Sequence, residues 1–357
     1  MAGRHQTLCS VLLSAALLAV GHATAQPEHP ERPPATGGTS APLYKPDRGP
    51  ERVVTDRSII LHDPDRDKDL ELLIRYPAAP AGRGLSGPCP LVLFSHGMGG
   101  SREGFSEFGS HLASWGYVVI HCTHSDSVEL RRRQGEKVTR ESFLRKGVRQ
   151  VDPLDRVQDV TLILDRLDEI ESRVAGLRSG TGEGRISRTQ IAMAGHSAGA
   201  LTTQMVAGVR NRFGPLGPGG RWGDPRIRAF VPISGQGRGV IGLNEDSWKP
   251  VTIPMLTVTG SLDTAAVGKE TPESRRHPFE FSTPTGRKHL LWVEGARHNS
   301  WQSPAPAERP TVLAFHSAVT AFLDANLKND PEASGWLNTP SNHRDVGTAG
   351  TATLRTK

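Results

Sequence analysis

Between residues 51 and 330, apolar positions follow two alternating rhythms. Short uninterrupted runs at 91–94, 117–120, 191–194, 229–233, 255–258 and 290–293 have the length of strands buried on both faces. Between several of them the spacing changes to that of a helix with one apolar face. Phe105, Phe108, Leu112 and Trp115 form one such set, Val157, Val160, Leu164 and Leu167 a second, and Val312, Phe315, Val319 and Phe322 a third. Strands alternating with helices predict an α/β fold: a mostly parallel central sheet with helices on both faces. Residues 234–250 are too few for a large cap domain. An opening pair of strands is expected at 53–60 and 70–76, around a turn at 62–65. Pro232 lacks the N–H that a ladder needs, so a strand end or bulge is expected there.

The two ends read differently. Arg4 and His5 precede an apolar run at 8–20, and Ala23-Thr24-Ala25 follows as a small-residue cleavage site. A run of about 13 residues is short of the roughly 20 that span a bilayer. Residues 1–25 are therefore expected to be a cleavable signal peptide. That implies export to the periplasm or beyond, with no stable membrane anchor. Residues 26–50 carry seven prolines and read as a Pro-rich linker, and 331–357 as a flexible tail.

The chain of 357 residues has a net charge of +6 without a long block of one sign, which gives nucleic acid no footprint. Three cysteines rule out a disulfide scaffold. Cys89 and Cys122 fall at opposite ends of neighbouring strands and are expected to be separate thiols.

Gly195-His196-Ser197-Ala198-Gly199 is the one G-x-S-x-G in the chain. It follows the run at 191–194 and opens a helical pattern, as a nucleophile on a tight strand-to-helix turn requires. Small flanking residues let strand and helix approach while the central hydroxyl stands above the sheet. In a parallel sheet, reactive groups collect at the carboxyl ends of the strands. His298 follows the run at 290–293 on that edge and is the expected base, with His277 a weaker competitor. His289 begins a strand and His316 lies within a helix. Asp263, just past the run at 255–258, is the expected acid, with Asp246 and Glu294 as alternatives. Backbone N–H groups of Met98, in a Gly-rich loop, and of Ala198, at a helix start, are the expected oxyanion donors.

Two features compete for attention. Residues 122–150, with Arg131-Arg132-Arg133, read either as a lid or collar for an anionic substrate or as a solvated loop. His121, Cys122, His124 and Asp126 crowd together, but their spacing fits no zinc pattern, and no metal is expected.

The stretches Leu93-Phe94-Ser95-His96-Gly97-Met98-Gly99-Gly100-Ser101-Arg102, Gly116-Tyr117-Val118-Val119-Ile120, Ala194-Gly195-His196-Ser197-Ala198-Gly199, Thr259-Gly260-Ser261-Leu262-Asp263 and Glu294-Gly295-Ala296-Arg297-His298 resemble the α/β-hydrolase superfamily. The resemblance is to secreted esterases of the platelet-activating-factor acetylhydrolase-like, dienelactone-hydrolase-like and cutinase-like kinds. It implies hydrolysis of a small-molecule or polymeric ester through Ser197, His298 and Asp263, without cofactor or metal. Dienelactone hydrolases use a cysteine nucleophile where this chain has Ser197, so their substrate is not implied.

Overall fold

A computed structural model describes residues 42–78, 87–178, 184–211, 222–264, 270–285, 287–303, 305–338, 343–346 and 352–357. The segment 1–25 and most of the Pro-rich stretch lie outside the described residues. The strands are β1 (Val53–Asp56), β2 (Ile60–Asp63), β3 (Lys68–Pro77), β4 (Cys89–Ser95), β5 (Val118–Cys122), β6 (Ile186–His196), β7 (Ile227–Ile233), β8 (Met255–Leu262), β9 (Lys288–Arg297), β10 (His343–Val346) and β11 (Ala352–Thr356). The helices are α1 (Ser106–Ser114), α2 (Val128–Arg133), α3 (Arg140–Gln150), α4 (Pro153–Asp165), α5 (Leu167–Arg173), α6 (Ala198–Val206), α7 (His277–Phe281), α8 (Arg309–Leu323) and α9 (Pro331–Leu337).

The sheet runs β1-β3-β5-β4-β6-β7-β8-β9-β11-β10, with β2 paired to β3 off this path. The six uninterrupted apolar runs form its parallel centre, β5-β4-β6-β7-β8-β9. Antiparallel strands flank it on both sides.

Alternation along each strand divides the core in two. Val92, Phe94, Val119, Ala192 and Ala194 face the layer that holds Phe108, Leu112, Phe315 and Phe322 of α1 and α8. Leu91, Leu93, Ile120, Ile191 and Met193 face the other, with Val157, Val160 and Leu164 of α4 and Leu201 and Met205 of α6. Each of the Val, Leu, Ile, Phe and Met side chains among them, taken from water, stabilises the fold by roughly 1.5–3 kcal/mol before the loss of chain entropy is set against it. Pro232 is the penultimate residue of β7. It stays in register with Gly195 of β6, but the β7–β8 pairing is made only at Phe230 and Ile233, so the missing N–H interrupts the ladder on the β8 side between the bonds of Phe230 and Ser234 N–H.

Several expectations are corrected. The first expected strand is two, β1 and β2, because the Asp56 carboxylate accepts from both the N–H and the hydroxyl of Ser58 at 2.7 Å and turns the chain. The connection to β3 consequently lies at 64–67, after His62 and Asp63 have paired. Residues 122–150 are not an open loop but carry α2 and α3, each with a capping side chain (Ser127 and Thr139). Among the basic trio, Arg131 pairs with Glu136, Arg132 donates to the Val138 carbonyl at 2.8 Å, and Arg133 pairs with Glu71 at 2.8 Å.

The ends of the domain are also more ordered than composition suggests. Residues 42–50 dock on the domain: Tyr44 is buried, and its hydroxyl donates to Asp324 at 3.0 Å while Lys45 pairs with the same carboxylate at 2.7 Å. Instead of a flexible tail, the described residues of 331–357 form α9 and the antiparallel pair β10–β11. Ala352 and Leu354 of β11 enter the core opposite Val293 and Leu291 of β9. Cys89 and Cys122 are free, buried thiols.

Candidate active site

β6 ends at His196 and α6 begins at Ala198, leaving Ser197 alone to reverse the chain. Its backbone sits at φ 55°, ψ −117°, a conformation that L residues rarely adopt. The flanking glycines leave no room for anything larger. A Cβ on Gly195 would lie 2.3 Å from the Gly199 carbonyl oxygen, and one on Gly199 would lie 1.9 Å from that of Ser95. Ser197 N–H donates to Ile233 O at 3.0 Å, which ties the turn to the end of β7.

Asp263 and His298 are brought together from just past β8 and just past β9. The His298 Nδ1–H donates to Asp263 Oδ1 at 2.8 Å, which leaves Nε2 free. Asp263 is fully buried, and its second oxygen accepts from Ser234 Oγ at 2.6 Å and Thr259 Oγ1 at 2.9 Å. Burial alone would raise this carboxyl, but His298, Arg275 and Ser234 outweigh it and hold it below the usual carboxylate range. His196 links the imidazole to the serine turn. Its Nε2–H donates to the His298 carbonyl at 2.7 Å, and the two rings lie 4.7 Å apart. Burial, then the neighbouring His298, depress His196 to about 3 and keep it neutral.

No hydrogen bond joins the Ser197 hydroxyl to His298 among the described residues. Such contacts are commonly long in a free enzyme and tighten around substrate.

Ala198 follows Ser197 directly, and Met98 lies in the turn after β4, next to Gly97. Ala198 is the first residue of α6, and Gly97 approaches the turn so closely that a Cβ there would be 3.4 Å from Ser197 Cβ. Among the described residues, neither the Met98 nor the Ala198 N–H has an acceptor; that of Ala198 is a first-turn helical donor, and Met98 lies in the turn after β4.

The competitors lie elsewhere. Asp246 pairs with Lys249 at 2.6 Å, and Glu294 is exposed near the Trp292 indole. His277 accepts from Arg238 N–H at 3.1 Å. Within the crowd at His121–Asp126, His124 and Asp126 are taken up by other bonds, while both ring nitrogens of His121 are buried without a hydrogen-bond partner among the described residues. His124 donates through Nδ1 to Asp159 at 2.8 Å and accepts from the Ser95 hydroxyl at 2.8 Å, while Asp126 pairs with Arg156 at 2.7 Å. A cavity of about 520 Å³ beside Gly99, Gly100, Val128 and Arg132 is not lined by Ser197, Asp263 or His298.

The residues that sequence reasoning missed are those that hold the site. Arg275, Ser234, Thr259 and Trp301 enclose the acid, with Trp301 Nε1 donating to Ser234 Oγ at 2.7 Å. Gln236 donates to the Ser197 carbonyl at 3.1 Å. Ser234 and Gln236 lie just past β7, Trp301 a few residues past β9, Thr259 within β8 and Arg275 well beyond it, so no shared sequence signal marks them.

Strand order, parallel crossovers and the tight turn at Ser197 together define an α/β-hydrolase fold. Residues 83–145 match the family model described as platelet-activating factor acetylhydrolase, isoform II. The match covers the Gly-rich loop, α1, β5 and α2, and ends before Ser197. No curated protein matches the chain. Fold and match make this a hydrolase of the lipase and esterase type, acting on esters. Among the described residues, no helix is long and apolar enough to cross a membrane.

Proposed function

We propose that the protein is an exported serine hydrolase of carboxylic esters, with Ser197 as nucleophile, His298 as general base and Asp263 as its orienting acid. The observation that carries this reading is the strained backbone at Ser197 between two glycines with no space for a side chain. An inert turn would gain stability by relaxing, whereas a nucleophile must be held clear of the sheet. His298, donating from Nδ1 to Asp263, offers Nε2 to the serine proton as the hydroxyl attacks an ester carbonyl. The Met98 and Ala198 N–H groups would receive the developing oxyanion. Proton return from the imidazole expels the alcohol, and water then clears the acyl-enzyme by the same steps. The charged, apolar and small-residue sequence of 1–25 supports export.

A fluorophosphonate probe tests the assignment. The wild type is expected to label and Ser197→Ala not to, with ester turnover falling about 10⁴-fold or more. Equal labelling of the two would overturn the reading. Faster cleavage of an anilide than of the matched ester would make the enzyme an amidase. A series of p-nitrophenyl esters of increasing length then defines the acyl preference.

A further inference from the structure

We propose that the buried Arg156–Asp126 pair is a clamp that aims the Met98 N–H at the reacting oxygen; this rests on the reading of Met98 as an oxyanion donor. Arg156 lies on α4 and Asp126 just beyond β5, and both side chains are almost wholly buried. The guanidinium Nε and Nη2 donate to the two carboxylate oxygens at 3.0 and 2.9 Å. This fork does not end at its partner. Arg156 Nη1 also donates to the His96 carbonyl at 2.7 Å, and Nη2 reaches the Gly97 carbonyl at 3.4 Å. From the other side, Asp126 Oδ2 accepts the Gly99 N–H at 2.9 Å. The pair thus holds the backbone before and after Met98 at once.

Peptide geometry turns that hold into a direction. The described chain has no cis peptide bond, so the Gly97 carbonyl and the Met98 N–H point opposite ways across one plane. The Gly97 carbonyl is fixed by Arg156, by Gly100 N–H at 3.0 Å and by His96 Nδ1–H at 2.6 Å. The Met98 N–H is thereby turned away from the clamp. The His96 ring is held in turn, since its Nε2 accepts the His124 N–H at 3.0 Å. A donor that must meet charge as it develops gains most from such prior fixing, because no reorganisation is then needed in the transition state. A buried ion pair adds little net stability over apolar residues of equal volume, so stability alone does not account for this one.

Arg156→Lys keeps the charge and loses the fork, and Asp126→Asn keeps the shape and loses the charge. Both are compared with wild type by kcat and KM on p-nitrophenyl butyrate, normalised by fluorophosphonate titration of competent sites. Each is expected to lower kcat at least about tenfold, within the range for a disturbed oxyanion donor, with KM changed little. Affinity for a trifluoromethyl ketone, bound as a tetrahedral oxyanion, should fall by a similar factor. A purely structural role would reduce the number of titratable sites and leave kcat per site and ketone affinity alone, which overturns the proposal. If Arg156→Lys does not fold, Asp126→Asn decides. A wild type that neither labels at Ser197 nor cleaves esters overturns the hydrolase reading; an active wild type with unchanged variants overturns the clamp only.

Discussion

The guanidinium of Arg275 lies 3.0 Å from the carboxylate of Asp263, on the same oxygen that accepts from His298, and both side chains are buried. Arg275 also donates to the carbonyls of Asp263 at 2.8 Å and Gly235 at 3.1 Å, and to that of Ser234. It therefore neutralises the acid and fixes the loops that carry it. Arg275→Met should destabilise the fold by about 3 kcal/mol at pH 7, because a buried carboxylate loses its cation. Asp263 is held below its unfolded value, so its contribution is present above about pH 4 and is lost as the pH falls through the folded value. Urea titrations at pH 7 and pH 3.5 should show the gap between variant and wild type narrowing on acidification. A constant gap would locate the effect of Arg275 in its carbonyl bonds alone.

Strain at Ser197 makes a prediction of opposite sign. At φ 55°, ψ −117° the residue occupies a region open mainly to glycine. Ser197→Gly should raise stability by about 1 kcal/mol, a few degrees in thermal midpoint, while abolishing ester turnover. A lowered midpoint would mean that packing around the serine outweighs the strain.

Buried histidines set a pH dependence of their own. Burial is the leading cause that depresses His111 and His289 to about 4, and His121 and His196 to about 3. In the unfolded chain each takes a proton near pH 6.5. Between the folded and unfolded values the unfolded state binds more protons, so stability falls as the pH drops from about 6.5 towards 4. Each imidazole contributes on the order of 1 kcal/mol to that loss by pH 5. The urea midpoint should therefore be lower at pH 5 than at pH 7, with an unchanged slope. An equal or higher midpoint at pH 5 would show that these rings find protons or waters in the folded protein.

Strands buried on both faces announce themselves as unbroken apolar runs, which is why the centre of the sheet is legible in the sequence. The strand–turn–helix around Ser197 was legible for a related reason, since only glycine fits at 195 and 199 and glycine is visible in a sequence. His298 and Asp263 followed from which strand ends share an edge. Other features left a weaker mark. Arg275 reaches Asp263 across 12 residues, and nothing local distinguishes it from the adjacent Arg276. The capping side chains of α2 and α3 were hidden among charges that composition assigns to a loop. Tyr44 is a single aromatic in a proline-rich stretch, and one anchoring side chain makes no period.

The hairpin at the carboxyl terminus escaped notice for the plainest reason: only Ala352 and Leu354 of β11 reach the core, two isolated apolar positions among Gly, Thr and Arg. Yet β11 covers the edge of β9 from His289 to Val293, and Lys357 exchanges backbone hydrogen bonds with Lys288 at 3.0 and 3.4 Å. Removing residues 339–357 would unpair that edge and leave a run of apolar residues beside open N–H and C=O groups, a template for pairing with another chain. The truncated protein should show a lower thermal midpoint and aggregation that grows with concentration, read by light scattering. A flexible tail could be cut without either effect, so an unchanged midpoint and clear solutions would return the segment to that role.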